Sequence, residues 1–183
     1  MKLFKKLAAA ALAAVLALSM VGCGAGGTGS ALDLKNEVLN LIEDDYYMSG
    51  KTATHTTAMD TEAAKLIEKA ATDEDAKDEN VTVKDLLEKS NAGNYIAIFA
   101  PYTQLRTEFM QNVYISKMES ALDWATDSDN YGHTGPYDNM IVKIGNPEIR
   151  DNDPIEMGAA TGTIKGKNYL VLLVKKAEAG LIG

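Results

Sequence analysis

Apolar positions along this chain follow two rhythms, and one of the two longest unbroken apolar stretches outside the N-terminal leader lies near the C-terminal end. Residues 169–174 read Tyr-Leu-Val-Leu-Leu-Val, a run of branched and aromatic side chains that suits a strand covered on both faces. Residues 155–164 mix apolar and small side chains. Between the two runs, Gly166 can take the positive φ that a short hairpin connection needs. The pattern therefore predicts a C-terminal hairpin whose second strand sits centrally in a sheet with helices packed against it.

Those helices come from upstream. Leu34, Val38, Leu41 and Ile42 recur at helical spacing, which predicts a helix over 34–48 stopped by Ser49-Gly50. A threonine-rich loop follows at 51–57. Asp60 then reads as the N-cap of a second helix, with Ala63, Leu66, Ile67, Ala70 and Ala71 as its apolar stripe. That helix runs out into the acidic stretch 73–80, where negative side chains oppose the helix macrodipole. Thr82 and Asp85 stand at the spacing of a capping box, Val81 can staple onto Leu86, and Gly93 can end this third helix in the left-handed conformation.

Residues 94–100 predict a short buried strand closed by Pro101. Leu105, Phe109, Val113, Ala121 and Trp124 lie roughly on one side of a helical segment over 103–124, either continuous or broken at the β-branched Val113 and Ile115. A polar loop at 127–138 and a strand at 139–144 complete the set. Three or four helices preceding most of the strands give an α+β fold: a three-layer α-β-α sandwich with a small, mostly antiparallel sheet covered by helices, the C-terminal hairpin central.

The front end has a different character. Residues 1–23 place Lys2, Lys5 and Lys6 before an apolar run at 7–21, shorter than the roughly 20 residues a membrane-spanning helix requires. The run closes on Met20-Val21-Gly22-Cys23, which resembles a bacterial lipoprotein signal-peptidase site with Met20 where Leu is usual. Cys23 is the only cysteine, so no intramolecular disulfide can form, and lipidation would cap a thiol otherwise left exposed. Residues 24–33 then read as a flexible glycine-rich tether and 34–178 as a single domain. The expected location is extracytoplasmic, with a lipid on Cys23 holding the chain to the cell membrane.

Charge narrows the partners further. Loss of the three leader lysines takes the formal net charge from −8 to −11, with 15 basic against 26 acidic side chains. So acidic a domain is unsuited to nucleic acid or anionic headgroups and leaves cations, neutral polymers or apolar ligands.

The order of elements is similar to the CAP superfamily, the domain of cysteine-rich secretory proteins, antigen 5 and pathogenesis-related proteins (also called the SCP domain). The likeness spans about 34–176. It is carried by a helix introduced by Met59-Asp60, a short strand near Tyr95, a helix ending in Ala-Leu-Asp-Trp124, and a hairpin with Met157-Gly-Ala-Ala-Thr-Gly and Lys167-Asn-Tyr-Leu-Val-Leu. The resemblance implies a cavity lined in the family by two histidines and two glutamates. This chain departs from that tetrad: Gly93-Asn94-Tyr95-Ile96 stands where the family has Gly-Glu-Asn, His55 precedes the second helix instead of following it, and His133 lies nine residues after Trp124, farther than usual. At most one tetrad position is matched. The resemblance thus implies a non-catalytic domain with no zinc site and no cofactor, its candidate ligand pocket marked by His133, Trp124 and Tyr95.

Other chemistry is sparse. Neither histidine sits in a nucleophile motif, and acids are too many for a hydrolytic pair to be singled out. Asp127, Asp129 and Asp138 stand at the first, third and twelfth positions of a calcium-loop pattern with Gly132 at the sixth, although Tyr131 takes a place that should supply oxygen. Tyr102, Tyr114, Tyr131, Tyr137 and Trp124 could line a groove for sugars or peptides. The expected function is a membrane-anchored domain binding an envelope glycan, peptide or apolar ligand. Two alternatives stand beside it: a cell-wall-acting hydrolase using carboxylates, and a structural or adhesive surface protein.

Overall fold

The hairpin forms where the apolar pattern puts it. In a computed structural model that describes residues 31–90, 93–102, 108–130, 133–150 and 152–178, its strands are β4 (Ile155–Ile164) and β5 (Lys167–Lys176). The two-residue connection Lys165-Gly166 has φ of 51° and 74°, the pair of positive angles that matches the twist of a hairpin. A lysine in the left-handed region is costly. Here its ammonium donates to the carbonyls of Asp78 and Val81, which offsets that cost and ties the turn to the preceding loop.

Three further strands, β1 (Ala53–His55), β2 (Tyr95–Pro101) and β3 (Ile141–Ile144), complete a sheet of order β1-β4-β5-β2-β3. β5 is its middle strand. It pairs antiparallel with β4 and β2, β2 pairs antiparallel with β3, and only β1 with β4 is parallel. Strand alternation then divides the core. Ile96, Ile98, Met157, Leu170 and Leu172 face helices α1 (Ala31–Met48) and α4 (Glu108–Thr126), whereas Ala97, Phe99, Ala160, Val171 and Leu173 face α2 (Thr57–Thr72) and α3 (Val83–Lys89). The result is the three-layer α+β sandwich the sequence predicts. Among the described residues, no helix is long and apolar enough to cross a membrane. The leader, Cys23 and residues 24–30 of the tether lie outside the described residues, while 31–33, read as the end of the tether, belong to the first turn of α1.

Several details differ from the expectations. Thr56, not Asp60, caps α2, its hydroxyl accepting from the Met59 amide at 3.2 Å. The loop 51–57 contains strand β1. Helix α3 does have its capping box between Thr82 and Asp85, but it ends at Lys89 and closes on Ser90. Gly93 has a positive φ of 118° farther on, where the Tyr95 ring lies so close that a Cβ would meet it at 2.3 Å. Helix α4 is continuous through Val113 and Ile115. Its predicted beginning at 103–107, with Leu105, lies outside the described residues.

Asp60 has a different role. The parallel ladder of β1 on β4 runs from Ile155 N–H to Thr52 C=O, 2.9 Å, to Thr56 N–H to Met157 C=O, 3.0 Å. It can go no farther, because the Thr56 carbonyl is already taken by Asp60 N–H in the first turn of α2. The next outward amide of β4, Ala159 N–H, instead donates to Asp60 Oδ1 at 2.9 Å. Gly158 makes room for this turn, since a Cβ there would meet Asp60 N at 2.3 Å. Asp60 also takes Lys35 Nζ of α1 at 2.6 Å and lies 3.0 Å from His55 Nε2. On the same strand, Glu156 is buried; its Oε1 accepts from the Thr56 hydroxyl at 2.8 Å. Lys175 Nζ lies 2.9 Å from Glu156 Oε2 and pairs with it by charge.

Leu172 is fully buried between β5 and the α1/α4 layer. Leu172→Ala is expected to cost about 2–5 kcal/mol, as large-to-small core changes do. Lys167→Ala, exposed at the start of β5, should move the chemical-denaturation midpoint little. Equal midpoints for the two variants would show that β5 is not the central strand.

Candidate functional site

Two helices end at the same place. Helix α1 closes in a glycine-terminated cap: Gly50 has φ of 73°, its N–H donates to Tyr47 C=O at 3.0 Å, and Lys51 N–H donates to Tyr46 C=O at 2.7 Å. The reversal carries the Lys51 ammonium over the Tyr46 ring, 5.6 Å from its centre. Helix α4 ends with Thr126, whose hydroxyl back-bonds to Leu122 C=O at 3.0 Å, and runs into a turn held by Asp127. Both Asp127 oxygens are engaged there, accepting from Asp129 N–H at 2.8 Å and from Asn130 Nδ2 at 3.0 Å.

Between these ends lies an open groove of about 750 Å³. From α1 and its cap come Asp45, Ser49 and Lys51; from α4 and its turn come Ser120, Asp123, Trp124, Thr126, Asp127 and Asn130; Tyr137 closes it from the following loop. Trp124 is fixed by backbone. Gly135 lies so close to the indole that a Cβ would meet Cε2 at 2.1 Å, so the loop packs flat against the ring.

The groove's field is negative by construction. Neither α1 nor α4 carries a basic residue in its last turn, so the partial negative charge of both helix ends is left unopposed by the helices' own residues. Asp45, Asp123 and Asp127 add full charges, and among the described residues that line the groove Lys51 alone is basic. Glu119, one turn before Asp123, feels the consequence. Burial first, then repulsion from Asp45 and Asp123, pushes its carboxyl above the usual range.

The structure separates the three residues expected to share a pocket. Trp124 packs on the α1/α4 side of the sheet, whereas Tyr95 packs with the α2/α3 cluster on the opposite face. His133 is exposed, with its amide donating to Asn130 C=O at 3.1 Å, and it does not line the groove. The calcium-loop candidates are likewise dispersed in role: Asp127 serves its own turn, the Asp129 amide is held by it, and the Asp138 carbonyl accepts from Lys84 Nζ at 2.9 Å. Among the described residues no three His, Cys, Asp or Glu side chains gather into a metal-binding group. Of the tyrosines expected to line a groove, Tyr137 joins Trp124, whereas Tyr102 packs elsewhere in the same core, bonded to the Thr161 side chain. Tyr131 and the Tyr114 side chain lie outside the described residues.

Sequence reasoning missed Asp45 and Asp123. The signal was present: both stand near the C-termini of helices whose last turns carry no basic residue. No family model, curated protein or solved structure matches this chain.

Glu119 gives a pH test of the charge penalty that burial and the neighbouring acids impose on it. A carboxyl raised in the fold binds protons more tightly there than in the unfolded chain, so its charge costs stability once the pH exceeds the ordinary glutamate value of 4.5. Glu119→Gln removes that charge. The variant should show a higher denaturation midpoint than wild type at neutral pH, and the gain should vanish below pH 4.5. A gain independent of pH would mean that penalty is not its source.

Proposed function

We propose that this chain is an extracytoplasmic lipoprotein, anchored through Cys23, whose domain binds a cell-envelope ligand in the groove beside Trp124. The anchor is supported by the leader sequence and the lone cysteine that closes it. The binding role is carried by one observation: two aromatic side chains, Trp124 and Tyr137, share an open groove with hydroxyl, amide and carboxylate side chains from two helix ends. Aromatic faces with polar groups between them are the usual means of holding a polar chain in water. The CAP-like reading remains part of the proposal. It is supported by the element order and by the hairpin lying between two helical layers, and it carries no catalytic tetrad.

A second reading, a cell-wall-acting hydrolase, is favoured by Glu119 alone, since its carboxyl is pushed above the usual range, the direction a general acid requires. Release of reducing ends from cell-wall glycan, lost in Glu119→Gln, would establish it.

Two experiments test the main proposal. Cys23→Ser should abolish incorporation of a labelled fatty acid and leave the leader uncleaved; normal labelling of that variant would remove the anchor. Trp124 is the chain's only tryptophan, so its emission reports directly on the groove. Titration with solubilised cell-wall fragments should shift that emission, and Tyr137→Ala should weaken the response roughly tenfold, the scale of a lost aromatic contact of about 1.4 kcal/mol. An unchanged emission throughout would place binding elsewhere.

A further inference from the structure

The polar groups that line the groove between the ends of α1 and α4 are not equally available. Asp127 uses both oxygens on its own turn, Asp123 is engaged as well, and Asn130 gives its Nδ2 to Asp127. The Thr126 hydroxyl is turned back to Leu122 C=O, and the Lys51 ammonium sits over the Tyr46 ring. What remains of the lining is the Asp45 carboxylate, the hydroxyls of Ser49 and Ser120, and the rings of Trp124 and Tyr137. Ser49 is exposed, and the other four residues are partly so. Trp124 is the fixed point of this set. With Gly135 packed flat against it, the indole is oriented before any ligand arrives, so little rotamer freedom is lost on binding.

We infer that the groove holds a neutral chain of sugar rings, stacked on Trp124 and Tyr137 and hydrogen-bonded through Ser49, Ser120 and Asp45. This rests on the groove reading above and names the ligand's class. A pyranose has an apolar C–H face whose hydrogens are slightly positive, which suits the negative face of an aromatic ring. Its hydroxyls project around the rim, where they can donate to the Asp45 carboxylate and exchange hydrogen bonds with the two serine hydroxyls. Trp124 comes from α4 and Tyr137 from the loop beyond it, and the groove is an open trough of about 750 Å³, so more than one sugar unit can lie along it. Other classes of ligand fit less well. An anionic polymer would face the carboxylates and the negative ends of two helices. A basic segment would find two of the three lining carboxylates already engaged. An apolar ligand would strip water from Ser49, Ser120 and Asp45 and put nothing in its place.

The test uses the full chain in neutral detergent, read by the emission of its only tryptophan, Trp124. The probes are neutral oligomers of glucose and of N-acetylglucosamine, a polygalacturonate oligomer as the anionic counterpart, and a lysine-glycine peptide as the basic one. At least one neutral oligomer should shift the emission and keep its affinity from low to high salt, since it carries no charge. Ser49→Ala with Ser120→Ala should weaken that binding about tenfold, the loss of two neutral hydrogen bonds. Neither serine is a core residue, and an unchanged far-UV circular dichroism spectrum checks that the variant is folded. A response to the peptide or to polygalacturonate as strong as that to the neutral oligomers overturns the inference while upholding the groove. So does a glycan affinity that falls with salt, or one that the serine pair leaves unchanged. Silence with every probe overturns the inference and the groove reading together.

Discussion

One carboxylate fastens the layers at the edge of the sheet. Asp60 belongs to α2 on one face, takes Lys35 from α1 on the other, lies against His55 of β1, and receives the Ala159 amide of β4. Burial alone would raise its pKa. The Lys35 hydrogen bond, then the Ala159 amide, then His55 outweigh burial and hold the carboxyl below the usual aspartate range. Its stabilising contribution is therefore complete above the ordinary value of 3.8 and fades as pH falls below it. The same edge shows why β1 needs so few residues. Its outward amide at His55 donates to Glu43 Oε1 of α1 at 2.9 Å, and the next free amide of β4 goes to Asp60. Two carboxylates thus cover a short edge that would otherwise offer unpaired donors to a neighbour.

The other carboxylates serve the fold less well. Asp60 meets a cation and a backbone donor; at the groove, where Asp127 holds its own turn, acids crowd two helix ends where the backbone is already negative. Each such placement costs a few tenths of a kcal/mol to about 1 kcal/mol. A chain selected for stability alone would put lysine or arginine there, as α2 does with Lys69 in its last turn. Local rules broken at a site are where function is most usefully sought.

The sequence made the centre of the fold legible and its edge illegible. Residues 169–174 are apolar without interruption, and only a strand between two layers buries every side chain, so the central position of β5 followed from composition. The Thr82–Asp85 box was equally readable, because a cap is a local interaction between neighbours. β1 was not. It is three residues long, Ala-Thr-His, with no apolar pattern, and exists because β4 lies beside it and Gly158 lets the start of α2 approach. The pocket residues failed for a related reason. Alternation sorts Tyr95 with Ala97 and Phe99, but nothing local says which helices cover that side, so Tyr95 and Trp124 could be grouped although a sheet separates them. Asp45 and Asp123 lie far apart in the chain and meet only because α1 and α4 pack together.

The strand order carries a consequence for how the chain reaches this state. β5, the neighbour of both β4 and β2, is the last strand in the sequence, and β1 finds its partner in β4 about a hundred residues later, with Ala53 opposite Ile155. A ribosome delivers the N-terminus first. Until residue 176 is available, α1, α2 and α3 have only the separate pairs β1–β4 and β2–β3 to cover, with no strand to join them. Local helices can flicker early, but the sheet closes only once β5 has been made, and non-local contacts of this separation are slow to form. The growing chain therefore lacks the middle strand of its sheet until β5 has been made, and then closes around it.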